Sequence, residues 1–498
     1  MTLEERLALG QRLAVGFDGL TVPEEYRALV RRHKVGNAIL FRRNAASLQQ
    51  LRALCAGLRE LIEGETGHPP FIMIDEESGS VSRLAPIAGE TPSAMAIGAT
   101  GSEANAEAIG SLIGARLRAA GINLNMAPVL DCWSNPANSV CGNRMFSADP
   151  ERVGAFGAAY IRGLHAHGIL ACGKHFPGHG DTDVDSHLDL PVIDKPAEAI
   201  RRTELVSFRR AMEKGLDSIM SAHIVLPAFE KEHIPATLSR AVMTGLVRDE
   251  LGFEGLVLSD GMEMNGVTKL FPIPEGTRRA LSAGVDICLI CHSPADAAAT
   301  CEHIAASAAE GRFDLNENRA HCQRILARKA GLWTEPGDPG DFTGPEQTAL
   351  SRRIMAEAVR ITHAPVGQPL LPLGPDTVCF GVPMQSTSFA SDQVTYTAVD
   401  SLSEALHLRN GGLIPDEDKL RGAKNALVVL SRHADLPRVQ EAALRLLEQG
   451  LPLIAVGLYT PACLAPLPDT AWKITAWQYD RLAVDAVIRL LKGEVECA

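Results

Sequence analysis

The sequence predicts an α/β fold: a TIM-type (β/α)8 barrel followed by a smaller α/β sandwich domain. Short apolar runs alternate with longer helical stretches over the first two thirds of the chain, a pattern typical of parallel strands joined by crossover helices. Ionisable residues end several of these runs, as they do at the mouth of a barrel. A segment rich in Pro, Gly and acidic residues then begins near Trp333, which indicates a boundary between domains.

The apolar runs are predicted as buried strands because they are nearly continuous rather than alternating. They lie at 35–41, 71–75, 122–130, 169–175, 217–223, 255–260 and 285–291. Helices are predicted between them, at 46–61, 102–120, 150–167, 197–214 and 295–310. The first twenty residues are predicted to form an amphipathic helix.

Beyond Trp333 the pattern predicts a second, smaller unit. Strands are expected at 377–382, 426–430 and 453–456, and helices at 346–361, 438–449 and 480–492. The predicted division is therefore a catalytic barrel domain over 1–333, a linker with a connecting helix over 334–368, and a C-terminal α/β domain over 369–498.

Composition narrows the class of protein. The chain has 498 residues and a formal net charge of −12, which argues against nucleic acid or an anionic membrane as its partner. No apolar run is long enough for a membrane span, and the start carries no secretory signal. The 11 scattered cysteines suit a reducing compartment, so a cytoplasmic location is predicted. The oligomeric state is left open.

The densest polar segment is GKHFPGHGDTDVDSHLDLP, over 173–191. Lys174 and His175 end a predicted strand, and Asp185 and His187 are two residues apart, so in extended backbone both point the same way. Two interpretations compete. The His and Asp side chains, including His179, could hold a metal, or Asp185 and His187 could form an acid/base dyad. Pro and Gly at positions 177 and 178 exclude a helical metal motif, which favours the dyad.

A second segment, GLVLSDGMEMNGV over 255–267, ends an apolar run with Asp260. At a barrel mouth, such a carboxylate can attack an anomeric carbon. Alternatively, Ser259 and Asp260 could cap the helix that follows. The local sequence leaves both interpretations open.

Taken in order, these segments resemble glycoside hydrolase family 3, and within it the β-N-acetylhexosaminidases. The resemblance covers most of the first 330 residues. It is carried by the motifs VGNAILFRRN, IDEESGSVSRL, NMAPVLD, GNRMFSADP, KHFPGHGDTDVDSH, MSAHIVLP, PATLS and LVLSDGMEM. KHFPGHGDT together with DSH is the most specific combination.

The resemblance implies a retaining double displacement with no cofactor and no metal. It assigns Asp260 as the nucleophile and His187 as the group that protonates the leaving group, with Asp185 as its partner. An imidazolium beside an aspartate can donate a proton near neutral pH and then act as base for water.

The resemblance also implies a hydrogen-bonding cage around the terminal sugar, formed by Asp75, Arg83, Arg144, Lys174 and His175. Arg144 could instead pair with Asp131 as structural support. Three positions depart from the family pattern. Glu76 adds a charge and Ser78 replaces a glycine, which together predict a changed loop beside Arg83, and Gly261 replaces a second acid after the nucleophile.

The predicted function is that of an exo-β-N-acetylglucosaminidase acting on a small carbohydrate, with cell-wall muropeptide fragments as the expected source. Four alternatives stay open: a β-glucosidase, a phosphorylase on the same fold, a catalytically silent sugar-binding protein, and a metal-dependent hydrolase that uses the His-rich segment.

Overall fold

Eight parallel strands close into a barrel in the N-terminal part of the computed structural model, in the order β1-β2-β3-β6-β7-β8-β9-β10. The structure describes residues 1–135, 138, 141–182, 190–333, 335–366, 370, 372–383 and 397–494. The strands of this part are β1 (Leu13–Val15), β2 (Asn37–Leu40), β3 (Phe71–Ile74), β4 (Glu76–Ser78), β5 (Val81–Ser82), β6 (Leu124–Asn125), β7 (Leu170–Phe176), β8 (Ser218–Ser221), β9 (Leu256–Gly261) and β10 (Ile287–Ile290). β4 and β5 form a separate antiparallel hairpin at the barrel mouth.

The first barrel strand was missed, and the predicted helix over residues 1–20 is wrong beyond its first half. A helix covers Leu3–Gly10, and Leu13–Val15 then forms β1, which pairs with β10 and β2 and closes the barrel. Three residues are too few to show a strand pattern. The end of the Leu3–Gly10 helix lies close to the end of the Glu24–His33 helix because Gly10 has no side chain: a Cβ there would lie 1.9 Å from the carbonyl oxygen of Lys34.

The helices predicted over 46–61, 102–120, 150–167 and 295–310 are present, whereas others, such as Glu24–His33 and Ile273–Ala283, were not predicted. Together these helices surround the barrel. They are α1 (Leu3–Gly10), α2 (Glu24–His33), α3 (Leu48–Thr66), α4 (Ala85–Ala88), α5 (Ala94–Thr100), α6 (Glu103–Ala120), α7 (Pro150–His165), α8 (Ala197–Arg202), α9 (Glu204–Glu213), a π-helix (Ala241–Glu250), α10 (Asn265–Thr268), α11 (Ile273–Ala283), α12 (Pro294–Ala309) and α13 (Leu315–Lys329). The predicted helix over 197–214 is two helices, because the backbone leaves helical geometry at Thr203, with φ −119° and ψ −75°.

The C-terminal unit is a six-stranded sheet flanked by helices, in the order β11-β16-β15-β14-β12-β13. Its strands are β11 (Arg360–His363), β12 (Thr377–Gly381), β13 (Arg409–Gly412), β14 (Asn425–Leu430), β15 (Leu453–Gly457) and β16 (Trp472–Thr475). Its helices are α14 (Pro345–Ala358), α15 (Ala398–Ala405), α16 (Glu417–Leu420), α17 (Leu436–Glu448) and α18 (Arg481–Leu491). A closed barrel followed by an α/β sandwich confirms the predicted fold class.

The barrel interior is filled by apolar side chains, including Met73, Leu124, Met220 and Leu258. This packed floor leaves polar chemistry to the mouth, at the carboxyl ends of the strands. None of the helices formed by the described residues is long and apolar enough to cross a membrane.

Candidate active site

The polar residues at the strand ends meet at the barrel mouth. Asp75 follows β3, Lys174 and His175 lie in β7, and Asp260 lies near the end of β9. β3 and β9 are on opposite sides of the closed barrel. Burial raises the pKa of the Cys172 thiol to about 12, and the Asp75 and Asp260 carboxylates both add to this rise. The charges of Asp75 and Asp260 therefore both reach Cys172, which lies inside the barrel below the mouth.

Lys174 is the centre of a buried charge network. Its Nζ lies 2.5 Å from Asp75 Oδ1 and 2.5 Å from Glu77 Oε1. Burial lowers the pKa of Lys174, but the two carboxylates outweigh this and raise it. Asp75 and Glu77 are two residues apart in extended backbone, which lets both carboxylates point toward the same ammonium. Lys174 is therefore held charged.

Arg144 extends this network from a different loop. Its Nε and Nη2 lie 2.7 Å from the two carboxylate oxygens of Glu77, a bidentate pair, and Nη2 is also 3.3 Å from His175 Nε2. Although burial raises the pKa of Glu77, Arg144 and Lys174 together lower it. Bidentate pairing fixes direction as well as distance, so the ion pair sets the position of the Arg144 loop relative to the β4–β5 hairpin.

Asp131 orients His175. Its Oδ2 lies 2.6 Å from His175 Nδ1, and its Oδ1 accepts the backbone N–H groups of His175 and His179 at 3.1 and 2.7 Å. Burial raises the pKa of Asp131, but His175 and these hydrogen bonds lower it to about 2. A proton on Nδ1 leaves Nε2 as an acceptor toward Arg144. Arg144 thus forms its bidentate pair with Glu77, and the alternative in which Asp131 is its structural partner is wrong.

Arg83 lies at the edge of the network. Its Nη2 is 4.0 Å from Asp75 Oδ2, and its guanidinium is 5.9 Å from the ring centroid of Phe41. The hairpin before it turns at Ser78, which has φ +95°, a backbone conformation that favours glycine. The five residues predicted to bind sugar therefore lie together in one connected cluster: Asp75, Arg83, Arg144, Lys174 and His175.

Asp260 lies near the end of β9, opposite the strand that Asp75 follows. It is partly exposed, and its Oδ1 accepts the backbone N–H of Gly261 at 2.8 Å. The capping alternative is wrong, because the next helix begins at Asn265 with Met264 as its N-cap residue. The Ser259 hydroxyl instead accepts the backbone N–H of Leu289. The Asp260 carboxylate therefore lies near the carboxyl end of β9, at the barrel mouth.

The predicted acid/base dyad, Asp185 and His187, lies outside the described residues. The alternative was a metal site formed by His and Asp side chains of the same segment. Among the described residues, one group has metal-ligand atoms close together: Asp131, Cys141 and His175. His175 Nδ1 and Cys141 Sγ already hydrogen-bond to the same Asp131 oxygen, at 2.6 and 3.3 Å, and the Arg144 charge is adjacent. These donors suit a hydrogen-bonded network better than a cation.

Sequence reasoning did not select Glu77 and Asp131 as site residues, although they hold the cluster together. Asp131 was considered only as a structural partner of Arg144, and Glu77 was given no role. The signal for Glu77 was its two-residue spacing from Asp75, which puts both side chains on one face. No local signal joins Asp131 to His175, since 44 residues separate them.

Comparison with known proteins identifies the family. The model of the glycosyl hydrolase family 3 N-terminal domain matches residues 2–327. The chain belongs to this family. It is a glycoside hydrolase, as its family and the names of its relatives indicate.

Three similar proteins illustrate the likeness. A beta-hexosaminidase A of Pseudoalteromonas piscicida is 37% identical over 288 residues, which are 54% of this chain but only 48% of that protein. A beta-hexosaminidase of Chromobacterium violaceum is 36% identical over 57% of this chain and 79% of its own length. The structure of a glycoside hydrolase family 3 beta-N-acetylglucosaminidase from Paenibacillus sp. str. FPU-7 superposes with a TM-score of 0.88 at 30% identity, covering 100% of this chain and 98% of that one. The names of these relatives support a β-hexosaminidase activity.

Proposed function

We propose that this glycoside hydrolase is a retaining exo-β-N-acetylglucosaminidase that releases terminal β-linked N-acetylglucosamine. The observation that carries the proposal is the buried cluster around Lys174, which lies at the same barrel mouth as Asp260; the strand of Asp260 is opposite the one that Asp75 follows. A charged donor set on one side suits sugar hydroxyls, and a carboxylate on the other suits attack on the anomeric carbon. The likeness to the Paenibacillus enzyme extends over the whole chain and supports the choice of sugar.

In the proposed reaction Asp260 attacks the anomeric carbon and forms a glycosyl-aspartate, while the glycosidic oxygen leaves with a proton from His187. Asp185 supports the charged imidazole, and neutral His187 then takes a proton from the water that hydrolyses the intermediate. Lys174, Arg144 and His175 bind the terminal ring through its hydroxyls. Because burial and the Glu77 pair hold Arg144 rigidly, the ring is oriented before the chemical step.

The test is hydrolysis of 4-nitrophenyl N-acetyl-β-glucosaminide beside the plain β-glucoside, with and without phosphate. We expect turnover of the N-acetylated substrate by wild type and its loss, by at least about 10³-fold, in Asp260→Asn. The matched control is Glu254→Gln, which neutralises an exposed acid just before the same strand, at its opposite end. A fluorinated glycoside should label Asp260, detected by peptide mass spectrometry.

Other outcomes would identify the alternatives. Activity on the plain glucoside alone would indicate a β-glucosidase, and phosphate-dependent release of sugar 1-phosphate a phosphorylase. Binding of N-acetylglucosamine without turnover would indicate a sugar-binding protein. Cytoplasmic cell-wall muropeptide fragments are the proposed natural source of substrate, and release of N-acetylglucosamine from purified muropeptides would test this.

A further inference from the structure

The Glu77–Arg144 ion pair joins the β4–β5 hairpin to the loop that carries Arg144. The C-terminal domain contacts the Arg144 loop directly and the hairpin through residues 91–93. We propose that two consecutive residues of this domain, Trp477 and Gln478, position the sugar-binding cluster by holding the hairpin and the Arg144 loop in register. This inference rests on the proposed function for the meaning of the cluster. The contacts themselves are independent of it.

Gln478 supports the hairpin that carries Glu77 indirectly, through residues 91–93. It is 1% exposed, its Oε1 accepts the backbone N–H of Ser93 at 2.5 Å, and its Nε2 donates to the carbonyl oxygen of Thr91 at 3.4 Å. The same Thr91 carbonyl accepts the backbone N–H of Gly79 at 3.2 Å. Gly79 follows Glu77 by two residues at the turn of the hairpin. The contact is close, because a Cβ on Gly79 would lie 2.6 Å from Ser93 Cα.

Trp477 holds the loop that carries Arg144. Its carbonyl oxygen accepts Nδ2 of Asn143 at 3.1 Å, and Oδ1 of Asn143 accepts the hydroxyl of Ser80 at 3.0 Å. Asn143 directly precedes Arg144 and also reaches the hairpin. Trp477 is itself anchored, since its indole N–H donates to the carbonyl oxygen of Ala358 at 2.8 Å.

A third contact reaches the Arg144 loop from the same domain. Gly142 has φ +46°, and a Cβ there would lie 1.8 Å from the hydroxyl oxygen of Tyr459. The loop can take this path only because Gly142 has no side chain. The C-terminal domain therefore meets the Arg144 loop at two adjacent positions, 142 and 143.

The direction of the Arg144 guanidinium therefore depends on the positions of both the hairpin and the Arg144 loop. Glu77 and Arg144 are bidentate partners, so a shift of either loop changes the direction of the guanidinium that also contacts His175. A misplacement of about 1 Å at a positioned group can cost on the order of 10²-fold in rate. Trp477 and Gln478 act through Glu77 and Arg144, and are positioning residues rather than catalytic ones.

The experiment compares Gln478→Ala and Asn143→Ala with wild type in the full chain. The matched control is Asn425→Ala, which removes an amide that is 5% exposed and bonds only to Thr377 and Pro372 among the described residues. We expect the interface variants to raise KM for the N-acetylglucosaminide more than they lower kcat, with kcat/KM falling about ten- to a hundredfold. The control should keep wild-type kinetics at a comparable loss of thermal stability.

Hydrogen–deuterium exchange gives a second readout that needs no substrate. We expect faster exchange at residues 76–84 and 141–146 in both interface variants and no change there in Asn425→Ala. Unchanged exchange in these two segments would overturn the positioning role, as would an equal kinetic loss in the control. If wild type itself does not hydrolyse the N-acetylglucosaminide, the proposed function fails, while the exchange result still decides the positioning role.

Discussion

Replacing Arg144 by methionine should test the buried network directly. The side chains of Arg144 and Glu77 are 6% and 5% exposed, so the variant leaves a carboxylate that water cannot reach. Removing one partner of a buried ion pair typically costs about 3–5 kcal/mol. Lys174 still contacts Glu77 at 2.5 Å, which places the expected loss near the lower end, about 3 kcal/mol.

The assay is thermal unfolding of Arg144→Met, Glu77→Gln and the double variant. An unfolding entropy of about 2.1 cal/mol/K per residue gives ~0.7 kcal/mol/K for a barrel of roughly 330 residues, so 3 kcal/mol lowers the midpoint by about 4 °C. The double variant should recover part of this loss, because the stranded carboxylate is gone. Midpoint changes that simply add would refute the coupling.

The pH dependence gives a further check on the same variant. Arg144 and Lys174 lower the pKa of Glu77, so in wild type its ionised form contributes stability above its ordinary pKa and loses it as pH falls below that value. In Arg144→Met the pKa of Glu77 rises toward its ordinary value, so this variant has less pH-dependent stability from Glu77 to lose on acidification than wild type has. The stability deficit of Arg144→Met should therefore shrink as pH falls from 7 through the ordinary glutamate pKa of about 4.3. An unchanged deficit would contradict the assignment of the lowered pKa to this pair.

Three further predictions concern stability. Ser78→Gly should stabilise the folded protein by roughly 0.5–1 kcal/mol and so raise its thermal midpoint, because Ser78 has φ +95°. The matched control, Gly79→Ala, adds a side chain at the next positive-φ position and should lower the midpoint. Asp131→Asn should lose stability at pH 7 but much less near pH 2, since the pKa of Asp131 is lowered to about 2 and its contribution disappears as pH falls toward that value. Burial lowers the pKa of Lys329 to about 7. Between pH 7 and 10 the Lys329 ammonium is therefore deprotonated in the folded protein but still protonated in the unfolded chain, so the stability of wild type should rise with pH relative to that of Lys329→Met. Parallel pH profiles for the two proteins would contradict the last of these.

Much of the barrel could be predicted because its strands are buried on both faces and show as continuous apolar runs. One barrel strand and three strands of the C-terminal sheet were not predicted. β1 is only three residues long, and β11, β13 and β16 carry polar residues such as Arg360, Asn410 and Lys473. Their strand geometry comes from pairing with neighbours, which a local pattern cannot reveal. The break at Thr203 likewise lies within a stretch of good helix formers.

By itself the sequence determined the fold class and the strand ends at which Asp75, Lys174, His175 and Asp260 lie, because continuous apolar runs and helical periodicity are local properties of the chain. Only the tertiary structure decided how these groups pair. Lys174 meets Asp75 across 99 residues, Arg144 meets Glu77 across 67, and Asn143 meets Trp477 across 334. Arg144 pairs with Glu77 rather than Asp131 because of where the hairpin and the Arg144 loop meet at the barrel mouth. Since the energy of a buried charge depends on the distance and direction of its partners, this pairing is decided only after the chain has folded.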